Sequence, residues 1–330
     1  MKRLFIALAA AVFFLPCAAK AHATNWHLAV EPLFGMKWGQ IDEYVFLKDS
    51  DYSNDKLSEL NWEIKPLFYL GVRVSGGWRG IEVSTSFTGA IPARTGITYD
   101  SDWQNIQYKN TGDYQYKTNY SESDNELDSN ITWSINGGYT FAPVSFFSIK
   151  PFVGFDYDHI AFTAYDGNYW YGASASNHLY AYDDTEAEHR ETGTFSGKVL
   201  GYERQSYFVW LGLSMAFFFP YNLSCTLGAQ VAPYLYTFST DTHYLTNSTE
   251  YVDIVEGYFS AFKAFSSICY ACTKRFSVCL NGEFFYMKTL RGDDYTKTAN
   301  ASSYTLSTYV DGGAGASFFD LAVSCKFRIF

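Results

Sequence analysis

The sequence contains no long apolar run after its N-terminus. At the start, two basic residues precede an apolar run from Leu4 to Ala19, and a small-x-small cleavage site follows at Ala21-His22-Ala23. This pattern predicts a secretory signal peptide over residues 1–23 and a mature chain that starts at Thr24. No later stretch approaches the roughly 20 apolar residues that a membrane helix needs. The sequence therefore excludes a helical membrane protein.

Basic residues are also few. The full chain has 24 Lys and Arg against 34 Asp and Glu. The signal segment holds Lys2, Arg3 and Lys20 and no acid, which leaves 21 basic against 34 acidic residues in the mature chain, a net charge of −13. An exported protein this acidic attracts basic partners and repels nucleic acid. We therefore expect no nucleic-acid partner.

Cysteine is scarce and irregularly spaced. Of the six cysteines, five follow the signal segment, and an odd number at irregular spacing is not a disulfide framework. Cys269-x-x-Cys272 alone supplies too few ligands for a zinc or redox site. We interpret these cysteines as small strand or turn residues, and a local Cys269–Cys272 disulfide stays open.

Aromatic residues are abundant, by contrast. Tyr and Phe number 28 and 29, and aromatics make up 20% of the chain. They recur in stretches that alternate between apolar and polar residues, the period of a β-strand. Alternation with aromatic girdles is typical of a transmembrane β-barrel. A soluble secreted β-sandwich explains the alternation but not the aromatic outer faces.

The alternating stretches predict ten strands, separated in turn by short turns and long loops such as 104–125 and 167–198. The predicted strands are 25–47, 60–74, 81–102, 126–141, 146–166, 199–219, 223–244, 254–272, 277–290 and 309–330. An even count with unequal connections predicts one all-β domain over residues 24–330, a ten-stranded antiparallel transmembrane β-barrel with both termini in the periplasm. Many strands exceed the roughly 9–11 residues that cross a bilayer, so the barrel extends above the membrane.

Two pairs of polar residues lie at the upper ends of predicted strands. Asp100 and Asp102 end the third strand, and Asp241 and His243 end the seventh. Residues i and i+2 of a strand share a face, with Cα atoms roughly 6.5–7 Å apart. Each pair alone is also compatible with a solvated loop start or a girdle histidine. Together they predict a site outside the membrane, because His243 beside carboxylates can act as a general base near neutral pH.

One feature of the seventh strand opposes this arrangement. Strict alternation places Asp241 and His243 on the same face as Leu227 and other apolar residues lower in the strand. A β-bulge near Pro233, or exit of the strand from the bilayer, is needed to reset the face.

Four short segments follow one another along the chain: Glu43-Tyr44-Val45-Phe46-Leu47, Leu57-Ser58-Glu59-Leu60-Asn61-Trp62, Asp100-Ser101-Asp102-Trp103 and Asp241-Thr242-His243-Tyr244. In this order they resemble the omptins, a family of ten-stranded outer-membrane endopeptidases. The resemblance implies an outer-membrane location with the site facing outside, and peptide or protein substrates at the cell surface. It also implies catalysis without cofactor, metal or covalent nucleophile. In such a site His243, oriented by Asp241, is the base, and Asp100 with Asp102 positions the attacking water.

Two departures from the family pattern change what the resemblance implies. Omptins use two acids to prefer basic residues beside the cut; Glu43 matches the first, but Ser239 stands in place of the second. We therefore expect a weaker basic preference. Omptins also use lipopolysaccharide, bound by basic residues on the outer wall. The matching regions, 156–159 and 203–205, contain one firm cation, Arg204, which argues against lipopolysaccharide as an activator.

Two other functions stay open at this stage, and so does the oligomeric state. A catalytically silent outer-membrane barrel could act as an adhesin or, less readily at ten strands, as a small porin. An outer-membrane phospholipase needs a Ser–His arrangement on the lipid-facing wall. Ser239 lies near His243 in the sequence, but no supporting motif accompanies it.

Overall fold

The computed structural model describes residues 26–48, 55–104, 116–175 and 178–329. The predicted signal peptide, 1–23, and residues 105–115 of the predicted loop 104–125 lie outside these ranges. Within them, no helix combines the length and the apolar composition that crossing a membrane requires. Ala187–His189 forms a short 3-10 turn.

The described residues otherwise form β-strands joined by turns. The strands are β1 (His27–Leu47), β2 (Lys56–Trp78), β3 (Ile81–Ala90), β4 (Ala93–Asp102), β5 (Asn119–Tyr139), β6 (Phe141–Val144), β7 (Phe147–Gly172), β8 (Ser174–Ala175), β9 (His178–Leu179), β10 (Arg190–Phe218), β11 (Leu223–His243), β12 (Thr249–Gly257), β13 (Ala261–Ala271), β14 (Phe276–Lys297) and β15 (Thr305–Arg328).

The main strands form a closed antiparallel ring with ten positions, as the sequence predicts. β3 and β4 are two segments of one position, both paired with β2 and β5, and β12 and β13 are two segments of another between β11 and β14. β1 pairs with β15, which closes the ring. β6 adds to the lower end of β7, and β8 with β9 forms a separate hairpin.

Several strands extend further upward than the sequence predicts. β5 begins at Asn119 instead of 126, β7 ends at Gly172, β10 begins at Arg190 and β14 continues to Lys297. The predicted loops 104–125, 167–198 and 291–307 are therefore wrong in extent. Above a membrane both faces of a strand can be polar, so the hydrogen-bonded ladder continues after the apolar alternation has ended.

Large exposed apolar side chains mark the lower half of the barrel, the half that contains the short turns. This belt includes Phe34, Leu70, Val83, Phe87, Trp133, Leu213, Leu227, Ile268, Leu280, Phe319 and Val323. An outward-facing apolar band is the surface that a barrel presents to lipid. The upper half, which leads to the long connections, contains both predicted pairs and stands outside the membrane.

A β-bulge in β11 separates these two halves. The pairing register leaves Trp210 of β10 opposite two residues of β11, Ala232 and Pro233. Below this bulge the odd-numbered Leu227 is exposed, whereas above it the odd-numbered Asp241 is buried. A bulge inserts one extra residue, so the inward face changes from even to odd positions. The predicted reset near Pro233 is confirmed.

The barrel interior is filled with side chains. Trp62 is fully buried and stacks between Phe162 and Tyr202, with ring centroids 5.7 Å and 5.3 Å away. Just below the site described next, the Arg204 guanidinium crosses the interior, and its Nη1 donates to the Gly315 carbonyl at 2.9 Å. These contacts form a packed floor under the upper opening.

The cysteines pair differently from the local alternative left open by the sequence. Cys269 forms a disulfide with Cys279, and Cys272 is exposed with a free thiol. The register of β13 and β14 places Cys269 directly opposite Cys279, with Cα atoms 4.1 Å apart. Residues on facing strands are closer in space than residues three apart on one extended strand.

Candidate active site

The first part of the site lies at the upper end of β4. The register between β4 and β5 shifts at Gly96, whose φ of +124° is a conformation that favours glycine. After this shift the even-numbered residues face inward, beginning with the fully buried Thr98. Asp100 and Asp102 follow on the same face and are partly buried. The predicted carboxylate pair therefore lines the upper opening.

The second part lies at the upper end of β11, where Asp241 and His243 face inward above the bulge. His243 Nε2 and Asp241 Oδ2 are 2.6 Å apart. Asp241 is 3% exposed, whereas the His243 side chain is 31% exposed. The edge of the Tyr251 ring packs on the imidazole, with centroids 5.0 Å apart. The buried carboxylate thus fixes the ring, and the opposite ring nitrogen, Nδ1, stays available for chemistry.

The two pairs act on each other electrostatically. Burial alone lowers the pKa of His243, but the carboxylates of Asp241, Asp100 and Asp102 outweigh it and raise the pKa to about 9. Burial raises the pKa of Asp100 well above its usual range, and the Asp102 charge raises it further. Burial also raises the pKa of Asp102, while hydrogen bonds from Ser58 and Gln104 oppose the rise. The four groups thus form one coupled cluster.

Glu43 and Ser239, the two residues matched to the specificity pocket, also lie at inward-facing positions of their strands. Glu43 on β1 is 3% exposed, and its Oε2 has no hydrogen-bond partner in the described chain. Burial raises the pKa of Glu43 well above its usual range, and so do the charges of Asp241, Asp253 and Asp100. Ser239 is 2% exposed and faces inward, two residues below Asp241. Both therefore face the barrel interior near the four-residue cluster.

Two buried acids beside this pocket were missed by sequence reasoning. Asp253 on β12 lies directly opposite Ser239, and Asp294 on β14 lies directly opposite Asp253. Both are at most 3% exposed. The predicted eighth strand began at Ile254 and the predicted ninth strand ended at residue 290, so both acids were placed in loops. A signal was present in the alternation of Tyr251, Asp253 and Val255, which continues the strand upward.

Arg204, the one cation matched to the lipid-binding regions, does not lie on the outer wall. It is 3% exposed and is directed into the barrel, where it contacts Gly315. β10 contains no bulge between Arg204 and the apolar belt, so its even-numbered residues stay on the inner face. The outer surface at this height therefore lacks that arginine.

The arrangement can activate a water molecule. An imidazole oriented by a buried carboxylate faces a second carboxylate pair across an opening, and this provides both a proton acceptor and groups that position water. In the part of the chain that the structure covers, no three or more His, Cys, Asp and Glu side chains are grouped as a metal site.

Comparisons with known proteins agree with this fold. A family model described as the Omptin family matches residues 24–329. Among solved structures, the outer membrane protease OmpT from Escherichia coli is similar with a TM-score of 0.77 and 15% identity, covering 96% of this chain and 99% of that chain. The translocator domain of the autotransporter NalP from Neisseria meningitidis gives a TM-score of 0.34 and 8% identity, over 99% and 94% of the two chains. No curated protein matches the chain by sequence.

Proposed function

Since this chain belongs to the Omptin family, we propose that it is an outer-membrane protease and that it hydrolyses peptide bonds with a water molecule activated by His243. The substrates are peptides or proteins at the cell surface, because the upper opening faces outside. The observation that supports this proposal best is the 2.6 Å contact between His243 and Asp241, opposite the Asp100–Asp102 pair.

The mechanism assigns a role to each atom of the pair. His243 Nε2–H donates to Asp241 Oδ2, which leaves the lone pair of Nδ1 directed to the opening. Asp100 and Asp102 share a proton and hold the water by hydrogen bonds. Nδ1 accepts a proton as the water oxygen bonds to the peptide carbonyl carbon. The imidazolium then gives this proton to the leaving amine as the C–N bond breaks.

Asp241 has two functions in this scheme. Its hydrogen bond fixes the tautomer and the orientation of the ring, and its charge stabilises the imidazolium that forms. The scheme uses no metal ion and no covalent nucleophile, so we expect chelators to leave the rate unchanged.

The test is a peptide-library digest by the refolded protein, with cut sites mapped by mass spectrometry. We expect His243→Ala to abolish cleavage while the barrel still folds. His189→Ala is a matched control, because His189 Nδ1 also lies 3.1 Å from a carboxylate, that of Asp184. Activity of His243→Ala within a few-fold of the unmodified protein would refute the mechanism.

The competing functions fit the structure less well. A small porin needs an open channel, whereas stacked aromatic rings around Trp62 and the Arg204 contact fill the interior. A phospholipase of the kind considered above needs its serine on the lipid-facing wall, whereas Ser239 is inside the barrel. A silent adhesin remains the second candidate, and the digest separates it from a protease because an adhesin cuts no peptide.

Lipid activation is a separate question. We propose that lipopolysaccharide, if it binds, does so without Arg204, because the guanidinium is directed inward. The comparison to make is the cleavage rate in detergent before and after lipopolysaccharide is added.

A further inference from the structure

We propose that Asp253 supplies the second carboxylate of the substrate pocket, in place of an acid at Ser239, and that this pocket binds a basic side chain next to the cleaved bond. The inference rests on the proposed endopeptidase function and identifies a residue that determines its specificity. It reverses the expectation, drawn from Ser239 alone, that the basic preference is weak.

The pairing register places Asp253 at the position where the missing acid is needed. Ser239 of β11 and Asp253 of β12 are direct cross-strand partners, and side chains of such partners lie roughly 4.5–5.5 Å apart at Cβ. Asp241 and Tyr251 form the next inward row above them. A carboxylate at 253 therefore reaches the same layer as one at 239, one row below the catalytic aspartate.

Buried oxygen atoms without partners indicate that this layer is built for a ligand. Glu43 Oε2, Asp241 Oδ1 and Asp294 Oδ1 are buried and have no hydrogen-bond partner in the described part of the chain. Each belongs to a side chain at least 97% buried. A buried carboxylate oxygen without a donor is costly, and native structures seldom retain one without a reason. A cation that enters from the substrate would supply the missing donors.

The charges around these acids are also unbalanced. The charged groups that act most on Glu43 are Asp241, Asp253 and Asp100, and those that act on Asp253 are Asp294 and Asp241. None of them is a cation. Arg204 occupies the same row as Ser239, but its Nη1 donates to the Gly315 carbonyl. Glu43 and Asp253 thus have no cation among the charged groups that act on them most, and a substrate Lys or Arg would supply one.

β15 leaves room for the Asp253 carboxyl. A Cβ added at Gly312 would lie 1.8 Å from Asp253 Oδ1, so no side chain is tolerated there without displacing the acid. The neighbouring Gly313 N–H donates to the Asp253 carboxylate and orients it. Ala314, the cross-strand partner of Glu43, is also small and fully buried. The small residues Gly312 and Ala314 therefore place no bulky side chain of β15 between Glu43 and Asp253.

Asp294 completes the pocket as a positioning residue. It lies directly opposite Asp253 and within hydrogen-bonding reach of it, so a charge on either carboxyl opposes ionisation of the other. Burial raises the pKa of Asp294 to about 6, and burial and the Asp294 charge raise the pKa of Asp253 well above its usual range. The arriving cation interacts with the carboxyls of this pair and with Glu43, which favours their ionised forms.

The experiment compares kcat/KM for matched peptides with Arg or Gln before the cut. We expect the unmodified protein to prefer Arg, and Asp253→Asn to reduce the Arg:Gln ratio by about 10- to 100-fold. Asp253→Glu keeps the charge and should restore most of the ratio. Asp293→Asn is the matched control, because Asp293 is exposed on the other face of β14. An Arg:Gln ratio within about threefold of the unmodified protein in Asp253→Asn would overturn the inference.

Two further measurements separate this inference from the proposed function. Ser239→Asp should change the Arg:Gln ratio by less than a few-fold, because the layer already contains an acid. A large gain in that ratio would show that the pocket lacks its second carboxylate until an acid is placed at position 239, which would overturn the role of Asp253. Binding of the Arg peptide to His243→Ala, measured by calorimetry with and without Asp253→Asn, reports the pocket without cleavage. If no peptide is cut but binding depends on Asp253, the pocket stands and the protease mechanism falls. If peptides are cut but binding of the Arg peptide is the same with and without Asp253→Asn, the proposed protease function stands and the proposed role of Asp253 is refuted.

Discussion

The sharpest prediction concerns the charge of Asp241 and the basicity of His243. Asp241→Asn keeps the size and shape of the side chain but removes the negative charge 2.6 Å from Nε2. Because that carboxylate is almost fully buried, its charge is poorly screened by water. The substitution therefore tests how much of the elevated pKa of His243 comes from its nearest partner.

The magnitude follows from Coulomb's law. Two unit charges about 4 Å apart interact by about 4 kcal/mol at an effective dielectric constant of about 20. At about 1.4 kcal/mol per pK unit, this corresponds to about 3 units. Asp100 and Asp102 remain and keep part of the increase. We therefore expect the pKa of His243 to fall from about 9 in the unmodified protein to between about 6 and 7 in the variant.

The sign of the pH dependence follows from the raised pKa. The imidazolium persists until the pH approaches 9, so the neutral base becomes more abundant as the pH rises from 6 to 9. kcat/KM should rise over this range in the unmodified protein. In Asp241→Asn the rise should move towards neutral pH, with a plateau about 10²- to 10⁴-fold lower because the imidazolium loses its stabilising charge.

The assay combines NMR titration of isotope-labelled histidine with pH–rate profiles between pH 5 and 10. The chain has six histidines, so His243→Ala assigns the signal. Asp184→Asn is the control, because it removes the carboxylate of a different His–Asp pair and should leave the His243 titration unchanged. Equal midpoints in Asp241→Asn and the unmodified protein would refute the electrostatic reasoning. A rate that falls between pH 7 and 9 would refute neutral His243 as the base.

Two other predictions concern topology and the interior. An epitope inserted within residues 105–115 should be labelled on intact cells, because β4 ends and β5 begins on the side opposite to the short turns. Labelling only after permeabilisation would show that the barrel has the opposite orientation in the membrane. Arg204→Met should lower the temperature at which the barrel unfolds on detergent gels, since it leaves the buried Gly315 carbonyl without its donor at a cost of about 1–3 kcal/mol. The same variant should respond to lipopolysaccharide as the unmodified protein does, and a selective loss of that response would place Arg204 at the lipid.

The two pairs of the candidate active site could be predicted from the sequence because they follow strands with strong apolar alternation. Asp100 and Asp102, and likewise Asp241 and His243, lie two residues apart at strand ends, and the structure brings both pairs to one opening. The bulge near Pro233 was predictable because strict alternation otherwise conflicts with the site. These inferences needed local periodicity and, for the bulge, the requirement that both pairs face one opening.

The acids of the pocket could not be found in the same way. Asp253 and Asp294 lie where the apolar alternation ends, so the strands appeared to end as well. Their meeting with Ser239 depends on the register between separate strands, which no local pattern contains. The inward direction of Arg204, in contrast, could be predicted from the sequence. Arg204 is an even-numbered residue in a strand whose odd-numbered residues, such as Val209 and Leu213, form the outer face.

The bulge at Ala232–Pro233 has a consequence for how such a barrel can change over evolution. It exchanges the inward and outward positions of β11 at that point. Below the bulge, contact with lipid determines which outward side chains are suitable, whereas above it the proposed substrate determines which inward side chains are suitable. A mutation in one segment therefore leaves unchanged which residues of the other segment face inward. Loss of the extra residue, in contrast, would turn His243 and Asp241 outward together, without altering a single atom of either. The single inserted residue thus allows one strand to serve as a membrane wall and to hold the proposed catalytic groups.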